Sequence, residues 1–261
     1  MEFRKITIPM GQTIFSSLTE GTRFENSGKG RRSNNIVKVN NHGYPIVRTT
    51  TKRSIAPMQF NDTHNEIIRE INASIRKDHT ENMTIIDFNH AMIEVYDQSY
   101  RKMKYHSDQC VDIEKPSIFA LFSCYNNPEQ LSENQMRVLY IIDKETEKES
   151  SIQLSHNSVI LFSFATNKKY KHKIIMNSNH GNYSFSENEW LGITFRTSKS
   201  IVHSINDKPF LNGEIELKLA SEEEEREFYR LKGEENRSME FDYPKLDYTL
   251  SPADLIRPVI N

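Results

Sequence analysis

Residues 117–125, SIFALFSCY, are a short run of mostly apolar residues that follows Pro116 and precedes Asn126. A run of this length and composition between turn-forming residues is typical of a buried strand. Comparable runs, rich in Val, Ile, Phe and Tyr, lie on both sides of it, at 91–96, 104–108, 137–143, 151–154, 158–164, 172–177 and 190–196. Many short strands bounded by Asn, Gly, Ser and Pro favour an antiparallel sandwich or barrel over alternating βα units.

Two predicted helices flank this strand-rich region. Residues 61–77 place Ile67, Ile71 and Ile75 at helical spacing behind a cluster of Asn, Asp and Thr, which predicts an amphipathic helix, and 221–233 predict a charged one. We therefore expect three parts. They are N-terminal basic strands that form a lid together with a support helix (1–80), a strand-rich core (81–205), and a C-terminal charged helix with an irregular tail packed on the core (206–261).

The bulk composition is that of a soluble globular protein, with 36% hydrophobic and 27% charged residues. No stretch approaches the roughly 20 apolar residues that span a bilayer, so we expect no membrane partner. The start, MEFRKITIPMGQ, lacks the apolar segment of a secretory signal. Cys110 and Cys124 cannot form a disulfide framework, which fits a reducing compartment. These features predict an intracellular protein, in the cytoplasm or the nucleus.

Charge is unevenly distributed along the chain, although the net charge is only −2. The segment from Arg23 to Arg53 carries eight basic residues against Glu25 alone, and the balance reverses between Asp207 and Asp247. A basic segment of this kind can hold phosphates, which supply much of the affinity for nucleic acids. The alternative is a solvated loop with a chance cluster of charges.

The segment KYHSDQC, 104–110, contains a His-x-Asp pair. Residues i and i+2 of a strand share a face, so His106 and Asp108 can present a nitrogen and an oxygen to one point. A third ligand must come from another strand, and we favour His172, at the start of a predicted strand; the downstream candidates are His156, His172, His180 and His203. Two histidines and one carboxylate are typical of non-haem Fe(II) sites with open coordination positions. Alone, such a pair is more often a polar feature of the surface.

Four segments in order across 88–196 resemble the AlkB-like branch of the Fe(II)/2-oxoglutarate-dependent dioxygenases. They are FNHAMIEVY (88–96), YHSDQC (105–110), SHNSVILFSFATNKKYKHKI (155–174) and WLGITFRTS (190–198). The resemblance implies a mostly β fold with flanking helices around a double-stranded β-helix, or jelly-roll, core. It also implies that the three residues of the His-Asp-His pattern hold Fe(II), with 2-oxoglutarate as cosubstrate and O2 as oxidant. Contacts to the cosubstrate fall on Tyr96, Thr194 and Arg196, the last through a salt bridge to a carboxylate.

The chain departs from the family pattern at the cosubstrate positions. Trp190 stands where the family has its first arginine, Gly192 where it has an asparagine, and Glu94 where some members have a cosubstrate-contacting asparagine. If 2-oxoglutarate binds, it is therefore held differently. The basic residues that could help are Lys173, Lys199 and Arg137.

The resemblance and the charge pattern together predict an oxygenase that acts on single-stranded or unpaired nucleic acid. We expect the basic segment to form the lid over the substrate, and the predicted substrate-binding residues are Arg31, Arg32, Tyr44, Arg48 and Cys110. Cys110 stands where base-repairing members often have an acidic residue, which argues against the usual alkylated bases, and Asp112 is a possible substitute. A protein or small-molecule hydroxylase and a degenerate barrel that binds a partner without chemistry are the alternatives. The oligomeric state is not predicted.

Overall fold

The structure, a computed structural model, describes residues 2–41, 43–78, 85–176 and 188–260. The strands are β1 (Arg4–Thr7), β2 (Glu25–Gly28), β3 (Arg31–Val37), β4 (Tyr44–Pro45), β5 (Met58–Gln59), β6 (His90–Tyr96), β7 (Ile118–Tyr125), β8 (Arg137–Asp143), β9 (Glu149–Leu154), β10 (Ser158–Ser163), β11 (Tyr170–Met176), β12 (Trp190–Arg196), β13 (Ile201–Ile205), β14 (Lys208–Leu211), β15 (Ile215–Glu216), β16 (Lys218–Leu219) and β17 (Tyr248–Thr249). The helices are α1 (Ile14–Glu20), α2 (Asp62–Asp78), α3 (Phe164–Lys169) and α4 (Glu222–Arg237), with short 3₁₀ turns at Pro128–Gln130, Glu133–Gln135 and Pro252–Leu255.

Two antiparallel sheets form the core. The major sheet has the order β1-β10-β7-β12-β6-β3-β2, with β5 added in parallel beside β3, and the minor sheet has the order β11-β8-β9. Leu139 of β8 and Ile174 of β11 pack in one apolar cluster with Trp190 of β12, so the two sheets face each other. This arrangement confirms the predicted mostly β, jelly-roll architecture.

The alternation of side chains along β12 gives the major sheet two distinct faces. Leu191, Ile193 and Phe195 point to the outer face, where they pack with Ile67 and Ile71 of α2. The other set, which begins with Trp190, points to the inner face toward the minor sheet. The outer face therefore buries the amphipathic helix that the sequence predicts, while the inner face encloses the space between the sheets.

Both predicted helices are present, and α4 begins one residue later and ends four residues later than predicted. Ser221 caps α4, because its hydroxyl accepts from the Glu224 amide at 3.3 Å and the Glu224 carboxylate accepts from the Ser221 amide at 2.8 Å. Phe228 and Leu231 of α4 are buried with Tyr248 of the tail. The tail is thus packed on the body of the protein.

Two local predictions were wrong, and one helix was not predicted at all. Residues 104–108 do not form a strand but an extended segment with a single bridge to β11, at His106. Helix α1 was missed, and so was α3, which lies in a stretch predicted as strand end and loop. α3 begins where it does because the Ser163 hydroxyl accepts from the Thr166 amide at 3.1 Å, which ends β10 and caps the helix. None of the helices in the described part of the chain combines the length and apolar character that crossing a bilayer requires.

Candidate metal centre

His106, Asp108 and His172 are brought together in space. One ligand atom from each lies within 4.8 Å of the others. The backbones of His106 and His172 exchange two hydrogen bonds, His106 N to His172 O at 3.0 Å and His172 N to His106 O at 2.7 Å. Residues paired in this way project their side chains to the same face, and the two imidazole rings lie 4.9 Å apart. This single bridge therefore aligns the metal-binding side chains, which the predicted strand was expected to do.

The Asp108 carboxylate is oriented from two sides. Its Oδ2 accepts from Nη2 of Arg196 at 2.9 Å, and its Oδ1 lies 3.6 Å from Nε2 of His172. The Asp108 amide donates to Oδ1 of Asn167 at 2.9 Å, and the Asn167 side chain donates back to the Asp108 carbonyl at 2.9 Å. Asn167 belongs to α3, so the unpredicted helix positions the carboxylate.

Asp108 and His106 are held in the protonation states that a metal ion requires. Burial would by itself raise the pKa of Asp108, but the Arg196 guanidinium and His172 hold it well below its usual range. Desolvation, together with the nearby His172 and Lys232, lowers the pKa of His106 to about 3. Nδ1 of His106 lies 3.0 Å from the Lys104 carbonyl, which favours the tautomer with a free lone pair on Nε2. An ionised carboxylate and a neutral imidazole are thus available at neutral pH.

The donor set fits Fe(II). Two imidazoles and one carboxylate are the facial set of non-haem iron oxygenases, and they leave coordination positions for further ligands. Of the other histidines considered, His156 accepts from the Tyr125 amide at 3.1 Å, and His203 lies on β13 in a separate sheet. His180 lies outside the described residues.

Two connected spaces adjoin the triad. An inner cavity of about 40 Å³ lies between the sheets and is lined by the triad together with Glu94, Tyr96 and Thr194 among others. A wider mouth cavity of about 440 Å³ shares six of these lining residues, among them His106, Asp108, Glu94 and Tyr96. Two of the predicted cosubstrate contacts, Tyr96 and Thr194, therefore face the inner cavity.

Arg196 is placed differently from the expected cosubstrate anchor. Its side chain is buried, and its guanidinium donates to the Asp108 carboxylate through both Nε, at 3.3 Å, and Nη2. This contact lies at the metal end of the inner face. The role that the structure supports for Arg196 is to neutralise and orient Asp108.

Trp190 and Gly192 form one coupled feature. A β-carbon at Gly192 would lie 2.1 Å from Cη2 of the Trp190 indole, so the ring passes directly over the glycine. The indole is 1% exposed and lies 4.8 Å from the Tyr96 ring at a tilt of 39°. The tryptophan in the arginine position therefore needs the glycine in the asparagine position, and together they fill the end of the inner face far from the triad.

The residues around the inner cavity do not fit the second carboxylate of 2-oxoglutarate. Within the described residues, its lining includes Glu94 but no lysine or arginine. Of the three basic residues considered as replacements, Lys199 is exposed and Lys173 lies over the Tyr105 ring at 4.1 Å. The third, Arg137, is buried and donates to the backbone carbonyls of Asp97 and Tyr100, both at 2.6 Å.

The prediction that Arg48 and Tyr44 bind the substrate was wrong. Arg48 is buried and pairs with Asp112 at 2.7 Å, and its other nitrogen donates to the carbonyls of Leu246 and Tyr248. Tyr44 is buried in a separate apolar cluster. Neither side chain can reach a substrate, because both hold the tail and neighbouring loops to the body. Asp112, considered as a base-reading residue, is committed to the same ion pair.

The remaining predicted substrate-binding residues differ in position: one lines the mouth cavity and the others do not. Arg31 lines the mouth cavity, and Arg32 is partly exposed and pairs with Glu189 at 2.9 Å. Cys110 is buried and does not belong to the described lining of either cavity, and its sulfur accepts from Nδ2 of Asn167 at 3.1 Å. Burial raises the pKa of this thiol, so it stays protonated.

The sequence did not predict the residues that hydrogen-bond to the backbone of the segment around His106 and Asp108. Asn236 of α4 accepts from the Ser107 amide at 2.9 Å, and Glu235 accepts from the Cys110 amide at 2.8 Å. Lys232 donates to the Ser107 carbonyl. No local signal could have identified these partners, because they lie more than a hundred residues from the segment that they hold.

Of the comparisons with known proteins, only the comparison with solved structures found similar proteins. No protein-family model matches the chain, and no curated protein matches it. The structure of OsALKBH1 is similar over 70% of this chain and 90% of its own, with 14% identity and a TM-score of 0.44. The structure of a Pseudomonas putida prolyl-4-hydroxylase is similar over 74% of this chain and 92% of its own, with 12% identity and a TM-score of 0.41.

Proposed function

We propose that the chain is a non-haem Fe(II) oxygenase that uses a 2-oxo acid and O2 to hydroxylate its substrate. The observation that carries the proposal is the convergence of His106, Asp108 and His172 beside the mouth cavity. Iron bound there would supply the activation of O2, and the protein supplies geometry and an enclosed site. The overall reaction converts the 2-oxo acid, O2 and a C–H bond into a carboxylic acid one carbon shorter, CO2 and an alcohol. On an N-methyl group, the alcohol releases formaldehyde, which amounts to demethylation.

The chain's own residues have defined tasks in this reaction. Arg196 keeps Asp108 ionised and fixes its rotamer, and the Lys104 carbonyl fixes the tautomer of His106. Leu121 and Phe162 contribute apolar side chains to the lining of the inner cavity. A dry cavity strengthens every electrostatic interaction within it and protects reactive groups from water.

We propose nucleic acid as the substrate, held at the rim of the mouth cavity. Exposed Lys102 and Lys104 lie on this rim beside the aromatic rings of Tyr100 and Tyr105. Lysines can hold a phosphate backbone, and aromatic rings can stack with an unpaired base. The grip is thus assigned to segment 100–105 rather than to the predicted basic segment 23–53, in which Arg31 pairs with Glu94 and Arg48 pairs with Asp112.

Turnover tests the oxygenase assignment. Purified chain reconstituted with Fe(II) should release CO2 from 1-¹⁴C-labelled 2-oxo acid in the presence of O2, and Asp108→Asn should abolish the release. Formaldehyde should appear when an N-methylated single-stranded oligonucleotide is added. An absence of CO2 release with every 2-oxo acid tested would contradict the proposal.

Salt dependence of binding tests the substrate assignment. Single-stranded DNA and RNA should bind the wild type, and Lys102→Gln/Lys104→Gln should lower the slope of log K against log salt by about 1.4, that is about 0.7 for each lysine that no longer neutralises a phosphate. Lys208→Gln/Lys218→Gln removes the same charge from a distant surface and should leave the slope unchanged. Equal effects of the two double variants would contradict the rim assignment, and CO2 release without any nucleic-acid binding would favour a protein or small-molecule substrate.

A further inference from the structure

The inner cavity contains one carboxylate that metal binding does not use. Apart from the triad, the charged side chain among its described lining residues is Glu94, and the remaining lining is apolar, aromatic or hydroxyl-bearing. Glu94 lies on β6, two residues from Tyr96 and opposite Gly192 of β12. A ligand that leaves the metal toward the inner cavity therefore meets a negative charge.

Glu94 is held by the kind of donors that a ligand carboxylate would need. Arg31 donates to Oε1 through Nε at 2.7 Å and through Nη2, and the Tyr96 hydroxyl donates to Oε2 at 3.0 Å. Glu94 and Tyr96 are buried. A guanidinium and a hydroxyl converging on a carboxylate are a strong arrangement for binding an anion. Here a side chain of the protein already occupies them.

The space beyond the triad is also short. The inner cavity has a volume of about 40 Å³, against about 440 Å³ for the mouth cavity. The Trp190 indole, seated over Gly192 and against Tyr96, closes the far end. The inner cavity is thus much the narrower of the two spaces, and it ends at packed aromatic rings.

We propose that Glu94 is a specificity-determining residue whose carboxylate stands in for the second carboxylate of a 2-oxo diacid, so that this site takes a short 2-oxo acid with a single carboxylate. This inference rests on the metal centre of the proposed function. The physical reason is that two carboxylates within a few ångströms repel strongly in a buried site, and Arg31 neutralises only one of them. A cosubstrate with a methyl or hydrogen at its far end avoids both the repulsion and the clash with the closed end.

Binding to the wild type gives the first test and requires no variant. The Fe(II)-loaded full chain is titrated without O2 with pyruvate, glyoxylate and 2-oxoglutarate, and the visible charge-transfer band of the iron–oxo acid chelate is followed. We expect at least one of the two monocarboxylates to bind roughly tenfold or more tightly than 2-oxoglutarate. Tighter or equal binding of 2-oxoglutarate would overturn the proposal.

The variant Glu94→Gln tests the cause. It keeps the size of the side chain and removes its charge, so 2-oxoglutarate should bind roughly tenfold more tightly while pyruvate binding changes by less than about twofold. Glu189→Gln, which removes a carboxylate paired with Arg32 outside the cavity, is the matched control and should change neither affinity. No gain in 2-oxoglutarate affinity by Glu94→Gln would also overturn the proposal.

The metal centre and the specificity of its cosubstrate can be told apart by these titrations. If the chain does not bind Fe(II), the metal centre fails and the specificity inference fails with it. If Fe(II) binds but no 2-oxo acid produces the band, the metal centre stands, and both the proposed 2-oxo acid reaction and the specificity inference fail. If iron binds and 2-oxoglutarate produces the band most readily, the metal centre stands and only the assignment to Glu94 is overturned.

Discussion

The two faces of the major sheet differ in what they contribute, and β12 shows the difference within one strand. Leu191, Ile193 and Phe195 on the outer face are fully buried among aliphatic and aromatic side chains. Thr194 and Arg196, their neighbours on the inner face, lie at the metal triad. The outer face thus supplies stability, while the inner face holds polar groups that cost stability and serve binding. Changes at adjacent positions should therefore have separate consequences.

The largest expected effect is on stability, from Phe195→Ala. Phe195 packs on Phe60 and Phe88, with ring centroids 6.2 and 5.8 Å away, so its removal should lower the free energy of unfolding by about 3–5 kcal/mol. Urea unfolding measures the loss, and metal titration of the folded variant should give nearly wild-type affinity. A large loss of metal affinity in the folded variant would contradict the claim that the outer face contributes stability and not metal binding.

Next is Asp108→Asn on the inner face. The amide keeps the shape of the carboxylate but not its charge, so divalent metal affinity should fall by about 100-fold or more, which is about 3 kcal/mol. Calorimetric titration with Mn(II) measures the loss. Asp87→Asn, at an exposed carboxylate paired with Lys38, should have no effect. Unchanged metal affinity in Asp108→Asn would exclude this triad as the site.

Gly192→Ala tests whether the inner face also contributes stability, at the place where the Trp190 indole packs over Gly192. The added β-carbon would clash with the buried Trp190 indole and should cost about 1–3 kcal/mol of unfolding free energy. Trp190→Phe in the same chain removes the outer ring of the indole and should recover part of that loss. Additive costs in the double variant would show that the two positions are not coupled.

The smallest expected effect is on the pH dependence of the unfolding free energy, through His64 of α2 on the outer face. His64 is buried against Phe60, and burial lowers its pKa from 6.5 to about 4. The unfolded chain therefore takes up a proton below pH 6.5 while the folded chain does not, so the stabilising contribution is complete above pH 6.5 and falls as the pH drops toward 4. At pH 5.5 the loss should be about 1.4 kcal/mol. His64→Gln should flatten this part of the stability curve, and an unchanged slope would contradict the assignment.

Much of the architecture could be predicted from local sequence. The short apolar runs predicted the antiparallel sheets, and the isoleucine spacing predicted α2. The His-Asp-His pattern predicted which three side chains would meet, although the reason given was partly wrong. Residues 104–108 are not a strand, and a single bridge to His172 aligns the side chains instead.

The charges could not be predicted in the same way. Arg48 was expected to grip a substrate and instead pairs with Asp112, 64 residues away. Arg31 pairs with Glu94 across 63 residues, and Arg196 with Asp108 across 88. A basic side chain has the same appearance in sequence whether it faces solvent, a ligand or a buried carboxylate.

The sequence by itself determined the strand-rich fold class, the amphipathic helix and the His-x-Asp pair, because periodicity and residue type are properties of neighbouring positions. The third ligand, His172, was one of four candidate histidines, and the family resemblance favoured it. Only the tertiary structure decided which polar groups are already satisfied by the protein and which face a cavity. Burial makes each buried charge find a partner, and that partner comes from a strand or helix distant in sequence. The pairing of Glu94 with Arg31 and Tyr96, and the indole over Gly192, are therefore properties of the folded chain alone.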